Sequence, residues 1–157
     1  MPPAVLPGLP RLLPVAPGTA QECGDLLRAA DIRPQGLEFL FCRREGANGQ
    51  QRFTARYRVR GSEAAAVENV LRERCRMGAL VRSLGIWSVP EGEEGRLDPS
   101  ALHDSLPDIS LPSGVEARVS MGEVPRPDVF ASERADWARI AWFGVRVDLP
   151  LASGVAD

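Results

Sequence analysis

The chain has 157 residues, of which 44% are hydrophobic and 25% charged, and a formal net charge of −2. That is the balance of one ordinary globular domain, long enough to bury a real core. It leaves no overall field to draw the molecule to nucleic acid or to an anionic membrane, and no run of 18 apolar residues offers a membrane span.

All 19 basic residues are arginine. A GC-rich coding sequence produces this bias, and the 15 glycines and 14 prolines agree with it; an all-arginine surface is also suited to bidentate anion binding. The charges are unevenly placed. Residues 28–82 hold 12 Arg and 6 acidic residues, whereas residues 83–157 hold 6 Arg and 13 acidic residues. A basic half and an acidic half can meet across the fold, or can form a polar surface that steers a charged partner.

Residues 1–18 contain six prolines, a density that withholds backbone donors and prevents regular helix or central strand. Residues 1–21 therefore read as a disordered proline-rich segment. The apolar stretch from Ala4 to Ala20, ending in Gly18-Thr19-Ala20, also reads as a remnant signal peptide that lacks a basic start. Residues 22–150 form a single domain, and 151–157 a flexible tail.

Glu22 to Ala30 is predicted as a short helix with Leu26, Leu27 and Ala30 on one face, stopped by Asp31-Ile32-Arg33-Pro34. Leu37 to Cys42 is an apolar run expected to be a buried strand. Asn48-Gly49 is a hairpin-turn signal. Phe53 to Arg60 then alternates: Phe53, Ala55, Tyr57 and Val59 point one way, and Arg52, Thr54, Arg56, Arg58 and Arg60 the other. Gly61-Ser62 opens a helix in which Ser62 can cap and Glu63 suits the positive end of the dipole. Its apolar stripe is Ala64, Val67, Leu71 and Cys75, and Gly78 is the expected stop. Leu80 to Val89 reads as a third strand and Pro90 to Gly114 as a loop. Val115 to Met121 alternates again. Ile140 to Leu149 is a long final strand with Phe143, Val145, Val147 and Leu149 on one side and Trp142, Gly144, Arg146 and Asp148 on the other. The predicted class is α+β: an antiparallel sheet of about five strands with two helices packed on one face, in the order α-β-β-α-β-β-β.

The three cysteines, Cys23, Cys42 and Cys75, contain no C-x-x-C and offer no zinc or redox motif. An exported protein would pair Cys23 with Cys42 and leave Cys75 free, whereas a cytosolic one would bury all three as thiols. Several segments resemble an uncharacterised family of small bacterial proteins, many of them exported, that is a domain of unknown function. The matching pieces are Cys23-Gly24-Asp25-Leu26-Leu27, Leu37 through Cys42, Ala55 through Gly61, Ala65-Ala66-Val67-Glu68, Ser120-Met121-Gly122-Glu123 and Asp136 through Ile140. Such relatives carry paired cysteines before a Gly and Trp, where this chain has Ser83-Leu84-Gly85-Ile86-Trp87. The resemblance implies a fold and favours a periplasmic or secreted location over a cytoplasmic one. It implies no activity.

Chemistry-bearing candidates are few. The lone histidine, His103, could act as a general base oriented by Asp104 or Asp108, with Ser100, Ser105 or a cysteine as nucleophile. There is no G-x-S-x-G and no glycine-rich phosphate loop, and no cofactor is implied. Glu91, Glu93, Glu94 and Asp98 form an acidic loop without the EF-hand pattern. The most specific surface is the arginine stripe Arg52, Arg56, Arg58 and Arg60, with Trp142 on the final strand. Arginine beside tryptophan is the composition of an interface hot spot, although residues 90–114 could equally cover Trp142. The reading is a non-enzymatic protein-binding module, an exported inhibitor or immunity-type protein with an acidic protein partner. The alternatives are a small hydrolase using His103 and a nucleic-acid binder using the arginine stripe, the latter opposed by the acidic total.

Overall fold

The computed structural model describes residues 23–47, 50–98, 102 and 116–151. The proline-rich segment 1–21, the turn Asn48-Gly49, His103 with Ser100, Asp104, Ser105 and Asp108, and tail residues 152–157 lie outside the described residues. The described part is α+β, built on an antiparallel open sheet of seven strands.

Strand β1 (Glu38–Ala47) pairs with β2 (Gln50–Arg60), and β2 pairs on its other side with the C-terminal strand β7 (Trp142–Pro150). Next come β6 (Ala117–Glu123), β4 (Ile86–Ser88) and β3 (Val81–Ser83), while the short β5 (Gly95–Leu97) also pairs with β6. The order is thus β1-β2-β7-β6-β4-β3. Period-two alternation sorts the residues of these strands into two faces. Phe53, Ala55, Tyr57 and Val59 of β2, Ala117, Val119 and Met121 of β6, and Phe143, Val145, Val147 and Leu149 of β7 are all buried.

Helix α2 (Gly61–Cys75) covers that apolar face with Ala64, Val67, Leu71 and Cys75. Its entry is set by Gly61: a Cβ there would strike the carbonyls of Trp137 and Ile140, and the Gly61 amide donates to the Ala141 carbonyl at 3.3 Å. Helix α1 (Leu26–Ala29) is one turn, capped by Asp25, whose Oδ1 accepts from the Arg28 amide at 3.0 Å. Leu26 and Leu27 are buried. Tyr57 reaches from the sheet to the same cap: its hydroxyl donates to Asp25 Oδ1 at 2.7 Å and accepts from the Leu27 amide at 3.0 Å. Burial of the phenol, together with the Asp25 carboxylate beside it, raises its pKa. The Cys23–Cys42 disulfide fastens the segment before α1 to β1, and Cys75 is a buried free thiol. Burial pushes the Cys75 pKa up to about 11, so it stays a protonated, unreactive core group at neutral pH.

Under the middle of α2 lies a polar hub. Glu68 is 1% exposed and receives both guanidinium nitrogens of Arg134 at 2.7 Å and the Leu80 amide at 2.8 Å. Arg134 also donates to the Leu80 carbonyl at 3.1 Å and lies over Trp137, 4.7 Å from the ring centroid. Trp87 packs edge-on against Trp137 at 5.3 Å and donates its indole N–H to the Ala131 carbonyl at 2.6 Å. Burial alone would raise the Glu68 pKa. The Arg134 and Leu80 hydrogen bonds and the charges of Arg134 and Arg72 hold it below the ordinary carboxylate value instead.

Several expectations are corrected. The sheet has seven strands, not about five, because the segment expected as one strand over Leu80–Val89 is a hairpin and the loop after it contains β5. Leu84 and Gly85 turn that hairpin with φ of 52° and 83°, a two-residue loop with both centres left-handed. Leucine is a poor residue for that turn, which is why the signal was hidden, and Leu84 is fully exposed. Leu37–Cys42 is not a buried strand. It begins the sheet edge, with a bulge between Phe39 and Phe41 and Leu40 44% exposed. Ser62 does not cap α2: the N-cap is Arg60, which makes no side-chain cap bond. Finally, α2 stops before Gly78, at Arg76 with φ of 60°.

Candidate interface on the open face of the sheet

Among the described residues, the second face of the sheet carries no helix. Its residues are the alternate ones of the same strands, and the register fixes which of them meet. Arg58 of β2 lies opposite Gly144 of β7, and Gly144 opposite Gly122 of β6. One step along, Phe41, Arg56, Arg146 and Ser120 form the next row across β1, β2, β7 and β6. Arg60 faces Trp142, and Thr54 faces Asp148.

These rows line a shallow concavity of about 730 Å³. Leu40 and Phe41 border it on the β1 side, Val124 and Pro125 on the other, with Trp142, Arg58, Arg56 and Arg146 between. Leu40 and Val124 are 44% and 48% exposed. The aromatic side chains on this face are held by cations. The Arg58 guanidinium lies 4.0 Å from the Trp142 ring centroid, that of Arg60 4.9 Å, and Arg43 sits 4.5 Å from Phe41.

The lining contains four arginines, Arg43, Arg56, Arg58 and Arg146, and one carboxylate, Glu123, which already accepts from the Trp87 amide at 2.8 Å. Three of the four arginines have carboxylate neighbours just outside the lining: Arg58 with Glu38 at 2.6 Å, Arg146 with Asp148 at 2.9 Å and Arg43 with Glu45 at 3.1 Å. Arg56 makes no ion pair or hydrogen bond among the described residues. Its charge is felt at Glu45, where burial would raise the pKa but the Arg43 hydrogen bond and the charges of Arg43, Arg56 and Arg52 hold it below its usual value. The face is therefore biased positive about Arg56.

The sequence-predicted site is brought together in part. Arg56, Arg58 and Trp142 line one groove. Arg60 stacks on Trp142 from the rim. Arg52 lies further along the strand, tied to Asp148 at 3.3 Å and Glu45 at 3.6 Å, while Thr54 on the same face is buried and donates to Asp148 Oδ1 at 2.8 Å. Leu40, Phe41, Arg146 and Gly144 were not singled out from sequence. Arg146 and Gly144 share the alternation of Trp142 and were legible from it; Leu40 was concealed by its apolar neighbours. In the acidic loop, Glu94 pairs with Arg118 at 3.7 Å, and among the described residues no group of three or more His, Cys, Asp or Glu side chains could hold a metal ion. Nor, among them, is any helix long and apolar enough to cross a membrane.

Residues 14–87 match a domain of unknown function, DUF4952. The DUF4952 match takes in α1, the β1–β2 hairpin, α2, β3 and most of β4, and ends before β5, β6 and β7. It thus contributes Leu40, Phe41, Arg56 and Arg58 to the groove, while Ser120, Val124, Trp142, Gly144 and Arg146 come from outside it. No curated protein and no solved structure matches the chain.

Proposed function

We propose that the protein is a non-catalytic interaction module that binds an acidic protein partner on the open face of its sheet, and that it serves as an exported inhibitor or immunity-type protein. One observation carries the reading: among the described residues the sheet is covered by helices on one side, and its other side holds an apolar groove walled by arginines, of which Arg56 has no ion-pair partner among those residues. A large aromatic beside arginine on a rigid strand is the sort of anchor that dominates protein interfaces, and an uncompensated arginine supplies charge complementarity to an acidic segment. A nucleic-acid role is less well supported, because the Trp142 ring is already stacked by Arg58 and Arg60 and single-strand binders present free aromatic faces. Export is supported by the buried Cys23–Cys42 bridge, a bond that persists in oxidising compartments.

The test uses the oxidised ¹⁵N-labelled chain titrated with hexaglutamate, hexalysine and a single-stranded oligothymidine. Saturable shifts confined to the open-face strands with hexaglutamate, lost in Arg56→Glu, are expected. Tighter and steeply salt-dependent binding of the oligonucleotide on the same residues would transfer the site to nucleic acid. Open-face resonances unmoved by hexaglutamate would remove the reading. Intact mass of protein recovered from its native source, with and without reduction, reports the compartment: two free thiols at Cys23 and Cys42 would end the case for export.

A further inference from the structure

One residue in the groove is demanded neither by packing nor by backbone conformation. Gly144 lies inside β7, with Arg58 on one side and Gly122 on the other. Gly122 has a packing reason, since a Cβ there would lie 3.2 Å from both the Ser88 Cβ and the Trp87 carbonyl oxygen. At Gly144 a Cβ would meet only the Tyr57 carbonyl oxygen at 3.8 Å and Val124 Cγ2 at 3.9 Å, both ordinary contacts. Nor is Gly144 among the residues with positive φ. Glycine inside a strand weakens it, and such a glycine often marks a place where a ligand approaches the backbone. What Gly144 provides is space: with Gly122 it bares the strand backbone at the floor of the groove.

We propose that Gly144 and Gly122 floor a subsite for an apolar ring side chain of the acidic partner, with a carboxylate two residues along the partner chain meeting Arg56. The inference rests on the reading of the open face as the docking surface, and adds the chemistry of the occupant. An aromatic ring laid over a strand glycine restores cover to exposed backbone. The aromatic side chains of the same face are already engaged, Trp142 by Arg58 and Arg60 and Phe41 by Arg43. Val124, whose Cγ2 lies 3.9 Å from the place of a Gly144 Cβ, and Leu40 on the far wall of the groove are apolar and half exposed, as a ring would require. Spacing gives the second half of the motif. Arg58 faces Gly144, and Arg56 is the next residue of β2 on the same face, about 7 Å away by the strand repeat. An extended peptide repeats its side chains at the same interval, so a ring and an acid separated by one residue reach the floor and Arg56 together.

The probe is the peptide acetyl-Ser-Phe-Ser-Glu-Ser-amide, titrated into the ¹⁵N-labelled oxidised chain, with Ala replacing Phe, Gln replacing Glu, or Phe and Glu made adjacent as controls. Saturable shifts of the Gly122 and Gly144 amides and the Trp142 indole are expected, with affinity lower by about tenfold in each control. Gly144→Val should abolish the binding and leave thermal stability equal or higher, because valine favours a strand; Gly144→Ala should weaken binding less. A Phe peptide no tighter than its Ala control, or binding unaffected by Gly144→Val, overturns the subsite while acidic docking stands. A Gln control as tight as the Glu peptide overturns the Arg56 contact and acidic docking with it. Absence of shifts with every peptide overturns both. If the valine variant loses the native spectrum, the peptide controls decide.

Discussion

The two faces of this sheet are made from alternate residues of the same strands, and they are held by different interactions. On the covered face Phe53, Val59, Val119, Phe143 and Val147 are wholly buried, and Glu68, the one buried charged side chain among the described residues, has a hydrogen-bond partner for each carboxylate oxygen. On the open face, arginines pair with carboxylates along the surface and stack on Trp142 and Phe41. Exposed ion pairs contribute little to stability, whereas a buried pair broken on one side leaves an uncompensated charge. One face therefore specifies the fold, and the other contributes little to it.

Breaking the covered face should cost most. Arg134→Ala strips Glu68 of two hydrogen bonds in a buried site, and urea unfolding should show a loss of about 3 kcal/mol; a loss under 1 kcal/mol would show that the buried carboxylate does not depend on Arg134. Replacing both Cys23 and Cys42 by serine opens a loop with a sequence separation of 19 residues and should cost a similar amount, about 3 kcal/mol on the chain-entropy account. Amide exchange should then rise in α1 before α2. Survival of full α1 protection in that variant would place its anchorage in the Tyr57–Asp25 bond alone.

The same face sets the acid limit. Glu68 has a folded pKa below its ordinary 4.5, so its contribution to stability is complete above the unfolded value and lost as pH falls through the folded one. Melting temperature should decline below about pH 4.5, and Glu68→Gln should be less stable at neutral pH but show a shallower acid decline. An unchanged acid slope in that variant would assign the limit to other carboxylates.

Smaller effects belong to the surface. Leu84→Asn places a residue suited to positive φ before Gly85 and should stabilise the hairpin by about 1 kcal/mol. Should the melting temperature drop instead, the exposed leucine has an unseen role in the fold. Arg56→Glu should change stability by less than about 0.5 kcal/mol while abolishing hexaglutamate binding, and a larger thermal effect would erase the distinction between the two faces.

Much of this was readable in the chain itself. The alternation over Phe53–Val59 and Phe143–Leu149 and the stripe Ala64, Val67, Leu71, Cys75 each declare which side meets the core, because a period of two or of 3.6 is a local property of the backbone. The arginines of β2 and Trp142 were legible as one surface for the same reason. Other features were closed to sequence. Glu68 lies on the buried side of α2 only because Arg134, 66 residues away, neutralises it. The Leu84-Gly85 turn was masked by a residue that turns rarely use. Leu40 and Phe41 border the groove only because β1 takes the sheet edge. Gly144 acquires meaning from its neighbours on β2 and β6. Sequence determined the faces of each element, since local periodicity does so by itself. Tertiary structure alone decided which strands adjoin, which charges are buried and where the groove opens, since those depend on contacts between residues far apart in the chain.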